Sequence, residues 1–186
     1  MATEESAITL RSARLEERAV TLRPARPDDA PAIAQIWADG WRDGHLGHVS
    51  DELAAARTRE SFDRRAAQRV GATVVAIVGG EIAGFVMVAG DEVEQVYVAA
   101  RHRGSGVAGA LLAKGERLVG AQGHGSAWLA VVAGNARARR FYERSGWVDE
   151  GPFDYVASTA AGPIRVRAHR YVKRHVRRLD DLRPAG

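Results

Sequence analysis

The sequence contains no cysteine, and it has no long apolar run. Without cysteine the chain can form no disulfide, no thiolate nucleophile and no cysteine-bound zinc site, so a covalent cysteine mechanism is excluded. No segment approaches the roughly 20 apolar residues that a membrane span requires, and the N-terminus lacks the apolar core of a signal peptide. We therefore expect a cytoplasmic protein with no membrane partner.

The composition predicts one ordinary folded domain. The 186 residues are 46% hydrophobic and 27% charged, near the averages for globular proteins. Residues 1–18 lack a sustained pattern and are predicted to be a flexible extension, residues 19–178 a single domain, and residues 179–186 a tail. The formal charge of +4 is uneven, because residues 165–178 carry seven Arg or Lys and no acid, which leaves −3 for the rest of the chain.

Hydrophobic periodicity predicts a mixed α/β fold. A short strand near residue 20 precedes a helix from about residue 30, which Gly40, Gly44 and Gly47 are expected to interrupt. A second, single helix is predicted over residues 51–68. Two β-branched runs flank Gly79-Gly80 and a third ends before residue 99, a pattern that predicts three sequential antiparallel strands.

The second half of the chain predicts two more helices and three more strands. A helix over residues 107–123 is followed by a buried strand, a short helix that begins at Asn135 and ends at Gly146, and two terminal strands. In the last strand Val166, Ala168, Val172 and Val176 fall at even positions, whereas Arg165, Arg167, His169, Tyr171, Lys173 and His175 fall at odd positions that we expect to be solvated. No internal repeat or interdomain linker is evident.

The loop "RHRGSGVAGALL", residues 101–112, contains a G-x-G-x-x-G made of Gly104, Gly106 and Gly109. In dinucleotide enzymes this spelling follows the first strand of a βαβ unit, and an acid ends the next strand. Here three hairpin-linked strands precede it and the next strand runs into "AGN", which disfavours a dinucleotide enzyme. The glycines still let the backbone approach an anion at a helix N-terminus, where Arg101 and Arg103 add positive charge.

Two blocks together resemble the GCN5-related N-acetyltransferase (GNAT) family. The segment "VEQVYVAARHRGSGVAGALL" is similar to the acetyl-CoA motif, a strand followed by [Q/R]-x-x-G-x-[G/A], which residues 103–108 match. The segment "NARARRFYERSGW" is similar to N-x-x-A-x-x-[FL]-Y-x-x-x-G-[FW], from Asn135 to Trp147. The resemblance covers roughly residues 20–175. It implies a central, mostly antiparallel twisted sheet of six to seven strands flanked by about four helices.

The resemblance also implies a cofactor and a reaction. Acetyl-CoA would donate its acetyl group directly to a primary amine of a small molecule, peptide or protein, without an acyl-enzyme. Its pantetheine arm would pair with the main chain of Val96 and Val98, and Asn135 would reach it while also serving as a helix N-cap. The implied pyrophosphate-binding residues are Arg103, Gly104, Ser105, Gly106, Val107, Ala108 and Gly109.

Tyr142 resembles the family tyrosine that points at the acetyl-CoA sulfur, which implies roles in cofactor binding and as the general acid. A phenol is neutral at cellular pH and can donate a proton to a departing thiolate, although a packing role is the alternative. Glu94 sits where many relatives carry a glutamate and is the predicted base. Glu92 lies two residues earlier on the same strand face, so Glu92, or water alone, stays open as the base.

Other features define the alternatives. His45 and His48 have a metal-ligand spacing, but Gly44 and Gly47 argue against a helix and no third ligand is evident, so no metal is expected. With Trp41 they fall where the family's substrate-recognition loop lies, and we expect them to line the acceptor pocket beside the C-terminal hairpin. A non-catalytic acyl-CoA sensor and a nucleic-acid binder using the basic strand are the alternative functions, the latter disfavoured. The acceptor, the acyl length and a homodimer stay open.

Overall fold

The computed structural model describes residues 19–176, so the predicted N-terminal extension and C-terminal tail lie outside the described residues. Within that range no helix is long and apolar enough to cross a membrane. The strands are β1 Thr21–Pro24, β2 Thr73–Val78, β3 Glu81–Ala89, β4 Glu92–Val98, β5 Ser126–Val132, β6 Val148–Thr159 and β7 Gly162–Arg174. The helices are α1 Ala30–His45, α2 Asp51–Ala56, α3 Arg59–Arg69, α4 Val107–Ala121 and α5 Ala136–Arg144.

The strands form one mixed sheet in the order β1-β2-β3-β4-β5-β7-β6. Every neighbouring pair is antiparallel except β4 and β5, which run parallel. The predicted three-strand unit is β2, β3 and β4, and its first turn uses Gly79 and Gly80 with φ of +56° and +80°, as a tight hairpin requires. The prediction of a mostly antiparallel sheet of six to seven strands is therefore confirmed.

Apolar side chains cover both faces of this sheet. In β3, Phe85 and Val86 point to opposite faces, as the two-residue period of a strand requires. Phe85 packs in a cluster with Trp37 of α1 and Phe62 of α3, whereas Val86 packs with Leu111 of α4. Helices α1 and α3 thus lie on one face, and α4, with α5 packed against the same cluster, lies on the other.

Helix α1 runs through Gly40 and Gly44, so the prediction that these glycines interrupt it was wrong. A Cβ at Gly40 would overlap the ring of Tyr97, and one at Gly44 would lie 2.6 Å from Nδ2 of Asn135. The missing side chains therefore let α1 lie directly against β4 and the start of α5, and this packing outweighs the low helix propensity of glycine. Gly47, with φ of +80°, lies beyond the helix end.

The helix predicted over residues 51–68 is two helices, α2 and α3. The Ser50 hydroxyl accepts the Leu53 N–H at 3.3 Å and begins α2, while the Thr58 hydroxyl accepts the Ser61 N–H at 3.2 Å and begins α3. A second N-cap within the segment starts a new helix, because it accepts an N–H that would otherwise donate to a carbonyl of α2. The break falls at Arg57, whose side chain is buried.

The prediction of a solvated odd-numbered face on β7 holds for only part of that strand. Arg165 is exposed, but Tyr171 is fully buried, and its hydroxyl donates to Oε1 of Glu143 at 3.0 Å and accepts from Nε of Arg139 at 3.2 Å. Both partners belong to α5, which covers the second half of β7. A helix that packs across a strand therefore buries residues that the alternating sequence pattern predicted to be exposed to solvent.

Candidate active site

Strands β4 and β5 meet at one point and then separate. Glu92 and Trp128 are their paired residues, and the Trp128 N–H donates to the Asp91 carbonyl at 3.0 Å while its indole Nε1 donates to Oδ1 of Asp91 at 3.0 Å. Beyond this point the facing edges of the two strands form no ladder within residues 19–176. A cavity opens between residues 92–97 of β4 and 129–132 of β5 and extends to side chains of α1, α3, α5, β6 and β7. We call it the cleft, and its volume is about 200 Å³.

A bulge in β4 lies within the cleft. Met87 of β3 faces Gln95 and Val88 faces Val93, so Glu94 is an extra residue without a partner in the ladder. A bulge bends its strand and increases the local twist, so this one contributes to the separation of β4 from β5.

The glycine loop, residues 103–109, follows β4 at the open end of the cleft. Gly104 and Gly106 have φ of +77° and +88°, and an added Cβ at either would meet no atom within 4 Å. No side chain caps α4, so the N–H groups at its start are free to bind a ligand, and the positive end of the helix dipole favours an anion. The predicted backbone-binding loop therefore has the conformation that such binding needs.

The side chains of the glycine loop contribute less than the sequence indicated. Arg103 forms a salt bridge with Asp43 of α1 at 2.6 Å, and Arg101 pairs with Glu81 at 2.8 Å. The Ser105 hydroxyl donates to the His102 carbonyl at 2.6 Å, and Val107 is fully buried in the core. Main-chain groups are thus the free groups of this loop.

Asn135 and Tyr142 of the second motif both line the cleft. Asn135 Oδ1 accepts the Ala138 N–H at 3.1 Å, so Asn135 is the N-cap of α5. The ring of Tyr142 packs edge-on against Trp147 with centroids 6.1 Å apart, and its hydroxyl makes no hydrogen bond to residues 19–176. Burial raises the pKa of the Tyr142 phenol, so this group stays protonated and can donate.

The two candidate carboxylates differ in their surroundings. Glu94 is ion-paired with Arg69 of α3. Burial raises the pKa of Glu92 to about 7, the negative charges of Glu94 and Asp91 add to the shift, and a hydrogen bond from Tyr155 opposes it. Both carboxylates line the cleft, and Glu92 has the pKa raised towards neutral pH.

Helix α1 contributes Trp41 and His45 to the cleft wall, as predicted, whereas His48 lies outside the wall and packs against Gly134. The His45 ring stacks on Trp41 with centroids 5.0 Å apart, and its Nδ1 lies 3.1 Å from the Trp41 carbonyl. Burial, together with the charge of Arg57, lowers the pKa of His45 to about 4. The ring is therefore neutral at physiological pH. No group of three metal-binding side chains occurs among residues 19–176.

Sequence reasoning missed two arginines of the cleft wall. Arg57 is 8% exposed, and Nη1 of its guanidinium donates to the Ser158 carbonyl of β6 at 3.0 Å. The Arg65 guanidinium lies 4.2 Å above the Trp37 ring. We call the wall formed by Arg57, Arg65, Trp37 and Ser158 the arginine side. No local motif marks these residues, because each comes from a separate element and only the fold brings them together.

Tyr97 and Tyr155 also line the cleft and were not predicted. Tyr97 follows the bulge in β4, where its ring lies under Gly40 of α1. Burial raises the pKa of both phenols, which therefore stay protonated. The Tyr155 hydroxyl favours the charged form of Glu92 and so opposes the rise in the pKa of that carboxyl.

Comparisons with known proteins agree with this geometry. A sequence profile described as the Acetyltransferase (GNAT) family matches residues 30–147. The chain therefore belongs to the GNAT acetyltransferase family. A search of curated proteins finds no match.

Solved structures show the same fold. A GCN5-related N-acetyltransferase from Rhodopseudomonas palustris is 24% identical with a TM-score of 0.64 over 83% of this chain and 94% of its own. The PaiA N-acetyltransferase of Thermoplasma acidophilum, solved with coenzyme A, is 15% identical with a TM-score of 0.66 over 84% and 99%. The yncA protein of Salmonella typhimurium, solved with its cofactor acetyl-CoA, is 18% identical with a TM-score of 0.63 over 90% and 97%. The predicted family and fold are thus confirmed, and two of these structures hold the kind of cofactor that the sequence predicts.

Proposed function

We propose that this protein transfers the acetyl group of acetyl-CoA directly to a primary amine, without an acyl-enzyme. The observation that carries the proposal is the cleft, where two parallel strands separate in front of a glycine loop that leads into an uncapped helix start. A slender ligand can pair with the free edge of β4 and place a phosphate at the start of α4. These features fit acetyl-CoA.

The binding roles follow from the free main-chain groups. Val96 and Val98 would offer theirs to the pantetheine arm, and the N–H groups of residues 104–109 would hold the pyrophosphate. Since Arg103 is paired with Asp43, its side chain has a secondary role in this scheme. Asn135 positions the first turn of α5, and through it the helix that carries Tyr142.

Bound acetyl-CoA supplies an activated thioester carbonyl and a thiolate leaving group. Tyr142 would give the proton of its phenol to the departing sulfur, since its raised pKa keeps that proton available. The attacking amine must lose a proton to a base. The sequence favoured Glu94, but we place this role on Glu92, because Glu94 is engaged by Arg69 whereas Glu92 has a pKa near neutrality. A water between Glu92 and the amine is compatible with this role.

The function is tested by two measurements on the same protein. Calorimetry should detect acetyl-CoA binding, and a thiol-release assay over a broad panel of amines should find acceptor-dependent release of CoA. Mass spectrometry should find the acetyl group on the acceptor and none on the protein. Cofactor binding without release for any amine would contradict the proposal and favour an acyl-CoA sensor.

A nucleic-acid role draws little support from the basic strand β7. Arg167 lies 3.3 Å from Asp154, and Arg174 lies 3.1 Å from Glu150, both acids of the neighbouring strand β6. The Arg170 guanidinium lies over the Trp128 ring at 4.2 Å. These partners reduce the free positive charge that a phosphate backbone would meet, so we do not propose nucleic acid as a partner.

A further inference from the structure

Two arginines on the arginine side of the cleft lack acidic partners. Nε of Arg57 is buried without a hydrogen-bond partner among residues 19–176, and Nη1 bonds only to a carbonyl. Arg65 is half-buried and forms no salt bridge with a described residue. Transfer of a guanidinium from water into the protein without an anionic partner costs several kcal/mol. Contact with a carbonyl or an aromatic ring offsets only part of this cost.

Two other arginines of α3, the helix that carries Arg65, do have acidic partners. Arg69 pairs with Glu94, and Arg59 lies 3.1 Å from Oδ1 of Asp63. Glu94 favours the charged form of Arg65 at longer range, but its salt bridge is with Arg69. Glu92, the other carboxylate of the cleft, has its negative charge disfavoured by burial. Within the described residues, no acid therefore forms a salt bridge with Arg57 or Arg65, and an anion that enters here would meet two guanidinium groups.

The arginine side extends away from the proposed acid, Tyr142, and the proposed base, Glu92. A second cavity of about 290 Å³ adjoins the cleft, and Arg57 and Arg65 line both. They stand where the cleft opens into this cavity, while Tyr142 lines only the cleft. A molecule that reaches from this junction into the cleft would meet guanidinium groups at one end and the Tyr142 phenol at the other.

We propose that the amine acceptor carries a carboxylate, which Arg57 and Arg65 bind while the amine lies in the cleft towards Glu92 and Tyr142. The acceptor class is thus a small amino acid, and this assignment rests on the proposed acetyl transfer. A guanidinium presents parallel N–H groups that match the two oxygens of a carboxylate. The aromatic rings of Trp37 and Trp41 would cover the acceptor's apolar part.

The test compares acceptors that differ only in the carboxylate. The twenty protein amino acids are screened with acetyl-CoA by thiol release, and phenylalanine and methionine are each compared with the amine made by removing the carboxylate. The carboxylate also lowers the pKa of the amine, so kcat/KM is calculated on the concentration of unprotonated amine, and the remaining difference reports binding of the carboxylate. We expect kcat/KM to be at least about tenfold higher for the amino acids, as one charge-assisted contact would give.

Variants then connect this preference to the two arginines. Arg65→Gln is expected to raise KM for the amino acid at least about tenfold, to change kcat/KM for the decarboxylated amine less than about twofold, and to leave acetyl-CoA affinity unchanged. Arg57→Gln should act in the same direction, and Arg65→Gln keeps the test open if Arg57→Gln fails to fold. Arg59→Gln, on the exposed surface of the same helix, is the matched control and should change kcat/KM for neither the amino acid nor the decarboxylated amine.

The outcomes distinguish this inference from the proposed function. Equal rates for amino acids and decarboxylated amines, or turnover of neutral amines alone, would overturn the carboxylate assignment and leave acetyl transfer intact. If no acceptor reacts, acetyl transfer fails, and calorimetry of phenylalanine and methionine with the CoA-bound protein decides the assignment. Binding that Arg65→Gln abolishes would support it, and no binding to the wild-type protein would overturn it.

Discussion

The glycine loop and the arginine side of the cleft differ in which groups are free to bind a ligand. At the glycine loop the free groups are main-chain N–H groups, and the loop's charged side chains are paired with acids elsewhere. On the arginine side the free groups are guanidinium groups on α3 and at the end of α2, held by burial and by one carbonyl. A backbone surface needs a particular conformation, whereas a side-chain surface needs particular residues.

This difference separates the two ligands of an acetyltransferase. A backbone cradle recognises a common cofactor and tolerates changes in side chains, provided the glycines keep their φ values. Charged side chains at fixed positions select among acceptors, because each buried charge favours one kind of partner and rejects others. Changes at the two surfaces should therefore have different kinetic signatures, and each of the following variants tests that expectation.

Tyr142→Phe should have the largest effect, because Tyr142 is the proposed general acid and belongs to neither binding surface. We expect kcat to fall by about 100-fold with acetyl-CoA affinity nearly unchanged, as for the loss of a general acid. Tyr171→Phe is the matched control, since its ring centroid lies 6.0 Å from that of Tyr142 but its hydroxyl is bonded to α5. Steady-state kinetics and calorimetry measure both, and an unchanged kcat in Tyr142→Phe would remove it from the mechanism.

Gly106→Val tests the backbone surface. A β-branched residue is strained at a φ of +88°, and its side chain would stand in the approach to the start of α4, so acetyl-CoA affinity should fall at least about tenfold. Gly80→Val is the control, because Gly80 has a φ of +80° in the β2–β3 turn, where an added Cβ meets nothing. Both variants should lose similar stability in thermal unfolding. Equal acetyl-CoA affinity in Gly106→Val and Gly80→Val would show that the glycine loop does not bind the cofactor through its main chain.

Glu92→Gln should lower kcat/KM by about tenfold at pH 8 and by less at pH 6. The pKa of Glu92 is raised to about 7, so the wild-type carboxylate is the active base above that pH and is protonated below it. The ratio of wild-type to variant rates isolates this group, because the ionisation of the amine is common to both. Glu94→Gln removes a neighbouring negative charge, so the wild-type pH dependence should persist and move to lower pH. A ratio that does not change with pH would exclude Glu92 as the base.

A raised carboxyl pKa also predicts a stability change that does not depend on activity. The folded protein binds a proton that the unfolded chain releases between about pH 4.5 and 7, so Glu92 destabilises the fold as the pH rises through this range. The melting temperature of Glu92→Gln relative to wild type should therefore be higher at pH 8 than at pH 4. The same difference at both values would show that Glu92 is not perturbed in the fold.

Arg103→Ala should have the smallest effect, less than about threefold on acetyl-CoA affinity, because its guanidinium is held by Asp43 of α1 at 2.6 Å. Calorimetry in low salt gives the most demanding measurement, since weak phosphate contacts are strongest there. A tenfold loss would show that the side chain leaves Asp43 to bind the cofactor. The glycine loop would then combine backbone and side-chain recognition.

The glycine loop and its neighbouring strands could be predicted because local sequence determines them. Glycines that adopt positive φ, a two-residue turn between β-branched runs and an asparagine at a helix start each act within a few residues. The positions of Tyr142 and Asn135 on the cleft wall follow from that same local order. The predicted positions of α4, α5 and the three-strand unit β2–β4 agree with the structure for this reason.

The arginine side could not be predicted because distant elements determine it. Gly40 is compatible with a helix only because Tyr97, far along the chain, occupies the space of its side chain. Arg57 is buried because the carbonyl of Ser158, 101 residues away, accepts its N–H. Tyr171 is buried because α5 crosses β7. In each case tertiary contact overrides the local pattern, and a single sequence does not contain that information in readable form.

The separation of β4 from β5 has a consequence for solubility. An unpaired strand edge normally invites another protein chain to add to the sheet, which leads to aggregation, and proteins usually protect such edges with charge, prolines or a covering element. Here the open edge lies in the middle of the sheet, between walls that include Trp41 of α1 and Tyr142 of α5. A second polypeptide strand with its side chains would not fit there. The protein can therefore keep a strand edge open for a thin molecule without exposing it to its own neighbours.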